Sequence, residues 1–146
     1  MAVSPFESQV FRGLFHDAEA GQLFADSAEL RAMLIVEGAL AKVQGGLGMI
    51  PETAGSFLHR AMQEIQIDPA GLSRATAING VPVPGLVAAA QKALEAPDHA
   101  RYLHWGATSQ DICDTALALR LKPALKIVDE RLAASVTALA RLAEDH

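Results

Sequence analysis

The stretch "LKPALKIVDERLAASVTALARLAEDH", residues 121–146, places Leu121, Leu125, Val128, Leu132, Val136, Leu139 and Leu142 three or four residues apart. That period draws one narrow apolar stripe along a helix, the seam of a coiled coil, and a seam of this kind needs a partner. A helix of about 24 residues spans roughly 36 Å. No residue follows it that could fold back and cover it. The spacing therefore predicts either a chain that stops in mid-bundle or a helix buried against other subunits. The plain alternative is a solvated terminal helix.

Composition agrees with packed helices. The 146 residues fit one domain, and 51% are hydrophobic with only 5% aromatic, a poor match to sandwiches of aromatic and β-branched strands. The expected fold class is all-α. A net charge of −5 with no Lys or Arg run excludes the basic patch that nucleic acid or an anionic membrane surface requires. Any anionic substrate must then be held by local donors. Cys113 is the only cysteine, so no internal disulfide forms, which fits a reducing, cytoplasmic setting. The N-terminus has no signal-peptide pattern, and no apolar run approaches the roughly 18 residues of a membrane span.

Working back from the seam, residues 108–146 read as helix interrupted at Pro123, which removes a backbone donor and predicts two helical pieces. Leu30, Met33, Leu34, Glu37, Leu40, Ala41, Gln44 and Leu47 follow helical spacing, with Ser27 or Asp26 as cap and Gly48 near the end. Pro51 and Glu52 open another helix. A short helix is expected from Asp68, a loop at "NGVPVPG" (79–85), a helix over about 85–96, and a loop at "EAPDHARYLHWGA" (95–107). The segment "FESQVFRGLFHDAEAGQLF" reads as a short helix or turn followed by a loop.

Between loop and seam lies "HWGATSQDICDTA", residues 104–116. Thr108 with Asp111 three residues on matches a capping box, which alone accounts for those two residues. Capping does not account for Ser109 and Gln110 beside the free amides and positive dipole end of the helix, groups suited to a carboxylate or phosphate. Gly106 and Ala107 leave the backbone approachable, and His104 lies two residues before them. Cys113 reads as a small buried hydrophobe whose place near the helix start would lower its thiol pKa. His16 and His59 read as surface residues. His99 and His104 flank Arg101 and Tyr102 with no third ligand at metal-site spacing, so no metal is expected.

The pattern H-x-G-x-T-S-x-D-x-x-D-T-A resembles the N-terminal signature of the fumarase, aspartase and argininosuccinate lyase superfamily, in the branch holding adenylosuccinate lyases and 3-carboxy-cis,cis-muconate cycloisomerases. "AELRAMLIVEGALAKVQGGLGMIP" is similar to that family's first long helix and the turn after it. With "FRGLFHD", the resemblance covers nearly the whole chain. Nucleotide-specific relatives carry a His-Asp pair where this sequence has "AINGVPVPGLV". Its absence favours a small tricarboxylate, and the wording is most similar to the bacterial cycloisomerases of the β-ketoadipate pathway.

The resemblance implies an N-terminal helical domain over 1–107 and, over 108–146, the start of a long-helix central bundle. It implies addition or elimination beside a carboxylate, without metal or other cofactor, in a homo-oligomer, a tetramer by the family pattern. Thr108, Ser109 and Gln110 carry over as substrate-carboxylate binders, His104 as a site residue able to donate to an anion, and Arg12 as a source of positive charge. Asp111 carries over as cap rather than proton-transfer group, since an acid beside a bound carboxylate would repel it. The later T-x-x-Q or T-H segment and the G-S-S-x-M-P-x-K-x-N loop do not occur in the sequence. The chain is thus expected to be an N-terminal fragment, inactive alone, that holds one wall of a shared site and no catalytic acid or base. Two rivals stay open: an adenylosuccinate lyase-like elimination enzyme, and a non-catalytic helical assembly module whose seam is its function.

Overall fold

The computed structural model describes Ser4, Phe6 and residues 8–146, and no strand occurs among them. The helices are α1 (Arg12–Phe15), α2 (Ala18–Leu23), α3 (Asp26–Gly46), α4 (Glu52–Glu64), a 3-10 turn (Pro69–Leu72), α5 (Ser73–Asn79), α6 (Val83–Leu94), α7 (Pro97–Ala100) and α8 (Ser109–Asp145). The expected all-α class is what the chain adopts. None of these helices is long and apolar enough to cross a membrane.

Helices α3 and α4 form the central hairpin. Gly48, at φ +71°, turns the chain between them in the left-handed region that costs glycine least. Gly45 near the end of α3 meets Gly55 early in α4, while Gly38 further back meets His59 and Met62, so the two helices run antiparallel. The approach is tight. A Cβ on Gly55 would sit 2.6 Å from the Ala41 carbonyl oxygen.

Met33, Leu34, Leu58, Met62, Leu86 and Ile112 are the centre of the core, each nearly inaccessible to solvent. Burial of each such side chain is worth about 1.5–3 kcal/mol. Arg31 seals the end of α4 by donating to the carbonyls of Met62 (3.0 Å), Gln63 (2.6 Å) and Ile65 (3.4 Å). These carbonyls lie where a helix leaves its acceptors unpaired.

Several local expectations are corrected. Pro123 does not divide the C-terminal helix, since α8 runs 37 residues without a break. The carbonyl that loses its donor belongs to Leu119, and both residues are exposed, on a side of the helix where solvent can satisfy it. Neither Ser27 nor Asp26 caps α3. Its N-cap is Ala25, with no side-chain bond, and Asp26 is the first helical residue. Leu47 leaves the apolar stripe and is 71% exposed just past the helix end. Helix α6 starts at Val83, with Pro82 and Pro84 where a missing N–H costs nothing, and Pro97 opens α7 inside the expected loop. The N-terminal stretch holds two short helices, the second capped by Asp17, which accepts from the Ala20 N–H at 3.1 Å.

The seam residues lie open. Leu125, Val128, Leu132, Val136, Leu139 and Leu142 are each more than half exposed. Only the first part of α8, through Ile112 and Ala116, is buried, against α3 and α6. Further along, Arg131 pairs with Asp17 and, at 2.9 Å, with Glu19, fastening α2 to the middle of α8.

Candidate functional site

Thr108 is the N-cap of α8, in extended conformation at φ −105°, ψ 160°. Asp111 Oδ2 accepts from the Thr108 N–H at 2.9 Å, and the two residues form a capping box. Ser109 and Gln110 follow in the first turn, where backbone amides lack helical acceptors and the dipole is positive. Ser109 is half-buried and its hydroxyl bonds no described residue. Gln110 is exposed, and its Nε2 donates to Asp114 Oδ1 at 2.5 Å.

Ahead of the cap the chain turns sharply. Gly106 has φ +67° and His104 φ +63°, and among the described residues only Glu95 is another non-glycine at positive φ. A side chain in that region carries strain that its surroundings must offset. Here the offset comes from α3. His104 Nδ1 lies 2.6 Å from Oε1 of Glu37, a carboxylate only 1% exposed. Two turns along α3, Gln44 Nε2 donates to the Trp105 carbonyl at 2.7 Å. Desolvation pushes the Glu37 carboxyl above its ordinary range, and the facing His104 opposes that shift. Glu37 Oε2 and Gln44 Oε1 are buried without partners.

The structure thus brings His104, Thr108, Ser109, Gln110 and Asp111 to one turn and helix start. Arg12 heads α1, is exposed, and makes no hydrogen bond or ion pair to that turn. A cleft of about 220 Å³ beside the turn is lined by Leu40, Gln44, Gly106, Ala107, Asp111 and Ile112 among others. Two larger clefts, of about 580 and 530 Å³, flank Pro69 instead. Arg31, the cation lining the first of them, is committed to the end of α4, so size does not locate the chemistry. Cys113 also departs from expectation. It is the fifth residue of α8, beyond the first turn, and burial together with Glu29 and Asp114 raises its thiol pKa rather than lowering it.

Glu37 and Gln44 are the residues that sequence reasoning placed on a helix face without giving them a part in the site. The available signal was a carboxylate in register with Leu30, Met33, Leu34 and Ala41. Such a group must find a partner when buried.

No family model matches the chain. It is 40% identical over 131 residues to 3-carboxy-cis,cis-muconate cycloisomerase of Acinetobacter baylyi, covering 86% of this chain and 29% of that protein. Its backbone superposes on the crystal structure of a fumarate lyase from Mesorhizobium sp. BNC1 with a TM-score of 0.82 at 34% identity, covering 89% of this chain and 30% of that one. Over the part of their length that it spans, the chain is similar to members of the fumarate lyase superfamily. A nitrosuccinate lyase of Streptomyces davaonensis is also 40% identical, over 124 residues, covering 84% of this chain and 26% of that lyase. The chain therefore spans less than a third of the length of each of these three proteins. The similarity takes in both a cycloisomerase and a lyase.

Proposed function

We propose that this chain forms the carboxylate-binding wall of a cycloisomerase that converts 3-carboxy-cis,cis-muconate to a carboxymuconolactone, with the rest of the site supplied by chain beyond His146 and by other subunits of a homo-oligomer. The observation that carries the reading is the helix start itself. Ser109 and Gln110 stand beside free amides, behind a capping box that leaves the Ser109 hydroxyl unengaged. In lactonisation one substrate carboxylate adds across a carbon–carbon double bond and a proton goes to the neighbouring carbon. The costly species has extra negative charge on the remaining carboxylate, and donors already aimed at it lower the barrier most.

The segment from Asn79 to Pro84 supports a small substrate. It holds no charged side chain, and Gly80 at φ +75° and Pro82 fix its backbone. A nucleotide's phosphate and base would need basic or paired polar groups there. A second reading, β-elimination from a substituted succinate, is favoured by the similarity to nitrosuccinate lyase.

The test supplies 3-carboxymuconate, nitrosuccinate and adenylosuccinate separately to the full-length enzyme while muconate absorbance and released fumarate are followed. Lactone formation is expected. Elimination without lactone would transfer the assignment to the second reading, and no turnover of any of the three would leave a helical assembly role.

A further inference from the structure

We propose that Glu37 is a positioning residue for the anion site, anchoring His104 through Nδ1 so that the opposite ring nitrogen, Nε2, carries a proton and is held out as a donor to a substrate carboxylate. The proposal rests on the reading of the 104–111 turn as a carboxylate site.

Geometry carries it. The Nδ1 to Oε1 distance of 2.6 Å is that of a strong, charge-assisted contact. The carboxylate is buried on α3 and the ring is 20% exposed at the turn, so the pair links the core to the surface. His104 sits at φ +63°, a strained backbone state that the ring's tie to Glu37 helps to offset. With Nδ1 engaged, Nε2 is the free nitrogen, and no described residue bonds it. The Trp105 carbonyl, held by Gln44, fixes the next residue of the turn to the same helix.

Proton bookkeeping then sets the polarity of Nε2. When the pair holds two protons, one lies between Nδ1 and Oε1, and it does not matter which atom owns it. The second sits on Nε2 rather than on Glu37 Oε2, which is buried with no described acceptor for an O–H. When the pair holds one, it stays on Nδ1 against the ionised carboxylate, and Nε2 is a bare acceptor. Burial favours the two-proton state, because it avoids an isolated buried carboxylate charge, and Glu37 Oε2 has no other donor to stabilise it. A bound substrate carboxylate favours the same state from the other side of the ring. Glu37→Gln keeps the shape but stores no proton; its amide either accepts from Nδ1–H, leaving Nε2 bare, or donates to Nδ1, leaving Nε2 protonated, and in both cases the proton shared between Nδ1 and Oε1 is lost.

The experiment reads the ring nitrogens directly. In the ¹⁵N-labelled chain at neutral pH, Nε2 of His104 should show a protonated, pyrrole-type shift and Nδ1 a far-downfield proton shared with Glu37, and Glu37→Gln should abolish that shared-proton signal. A bare Nε2 in the unsubstituted chain would overturn the proposal, as would a ring unchanged by Glu37→Gln. Should that variant fail to fold, Glu37→Met fills the same space without a buried charge and must likewise abolish the shared-proton signal at Nδ1. In the full-length enzyme, Glu37→Gln should raise KM about tenfold or more with a smaller change in kcat, as expected for losing a hydrogen bond to a charged group. An unchanged KM would count against the role. An enzyme silent toward every carboxylate substrate would overturn the functional reading instead, and the ring shifts would still decide whether Glu37 positions His104.

Discussion

Thr108 and Ser109 are neighbours with different duties, and substitution separates them. Thr108 closes the capping box, so Thr108→Ala should cost about 1 kcal/mol in chemical denaturation. The Ser109 hydroxyl makes no bond within the described structure, so Ser109→Ala should leave the denaturation midpoint unchanged. In the full-length enzyme the same change should cut kcat by roughly tenfold, as expected when one hydrogen bond to a charged group is lost in the transition state. Unaltered turnover in folded Ser109→Ala enzyme would reduce this helix start to a cap. At this scale the sequence shows whatever depends on neighbours along the chain. The spacing of Thr108 and Asp111 and the glycine break announce the cap. Glu37 is 67 residues from its partner. Nothing local joins it to His104, and the only trace is an acid standing in an apolar stripe.

Helices α3 and α4 show how far patterns carry. Their apolar spacing is plain, and both form where the pattern puts them, to within a turn. Their closeness is not legible, because Gly38, Gly45 and Gly55 look like helix-weakening residues until the two backbones are seen to touch. Gly55→Ala tests this contact. Alanine raises intrinsic helix propensity, yet its Cβ would sit 2.6 Å from the Ala41 oxygen, which only a shift of the hairpin relieves. The substitution should therefore destabilise by about 1–3 kcal/mol, read as a lower urea midpoint. A stabilised variant would mean that the helices part easily. Pro123 teaches the reverse lesson. Its chemistry predicts a break, but on an exposed helix side the orphaned carbonyl is open to solvent, and the helix continues.

Over the whole molecule, an open seam and an exposed ion-pair cluster govern behaviour. Six large apolar side chains of α8 more than half exposed, all beyond Arg120, make self-association the expected state of the isolated chain. Sedimentation at low micromolar concentration should show species above 15.4 kDa. A clean monomer that binds no hydrophobic dye would contradict this. The Asp17–Arg131–Glu19 cluster sets an acid limit. The Arg131 guanidinium, aided by the Ala20 N–H, lowers Asp17 from 3.8 to about 2. A depressed folded-state pKa contributes stability above about pH 4 that is lost as pH falls through about 2. Amide exchange in α2 should accelerate across that window, and added salt should weaken the fastening at neutral pH because the groups are exposed. Asp17→Asn should exchange quickly throughout. Exchange that is insensitive to acid would show that α2 is held by packing instead.

Because α8 passes Pro123 unbroken, it acts as a phase-locked shaft between the turn at Thr108 and the seam beginning at Leu121. Each residue advances the helix by about 100°, so the angle at which the seam meets a neighbour, relative to where Ser109 faces, is fixed by a count of residues. One alanine inserted near Ala118 would swing the seam by that angle while leaving the capping box intact. Seven would restore it to within about 20° and move it outward by roughly 10 Å. The proposed assembly face and the proposed anion site can thus be thrown out of step without a residue of either being substituted.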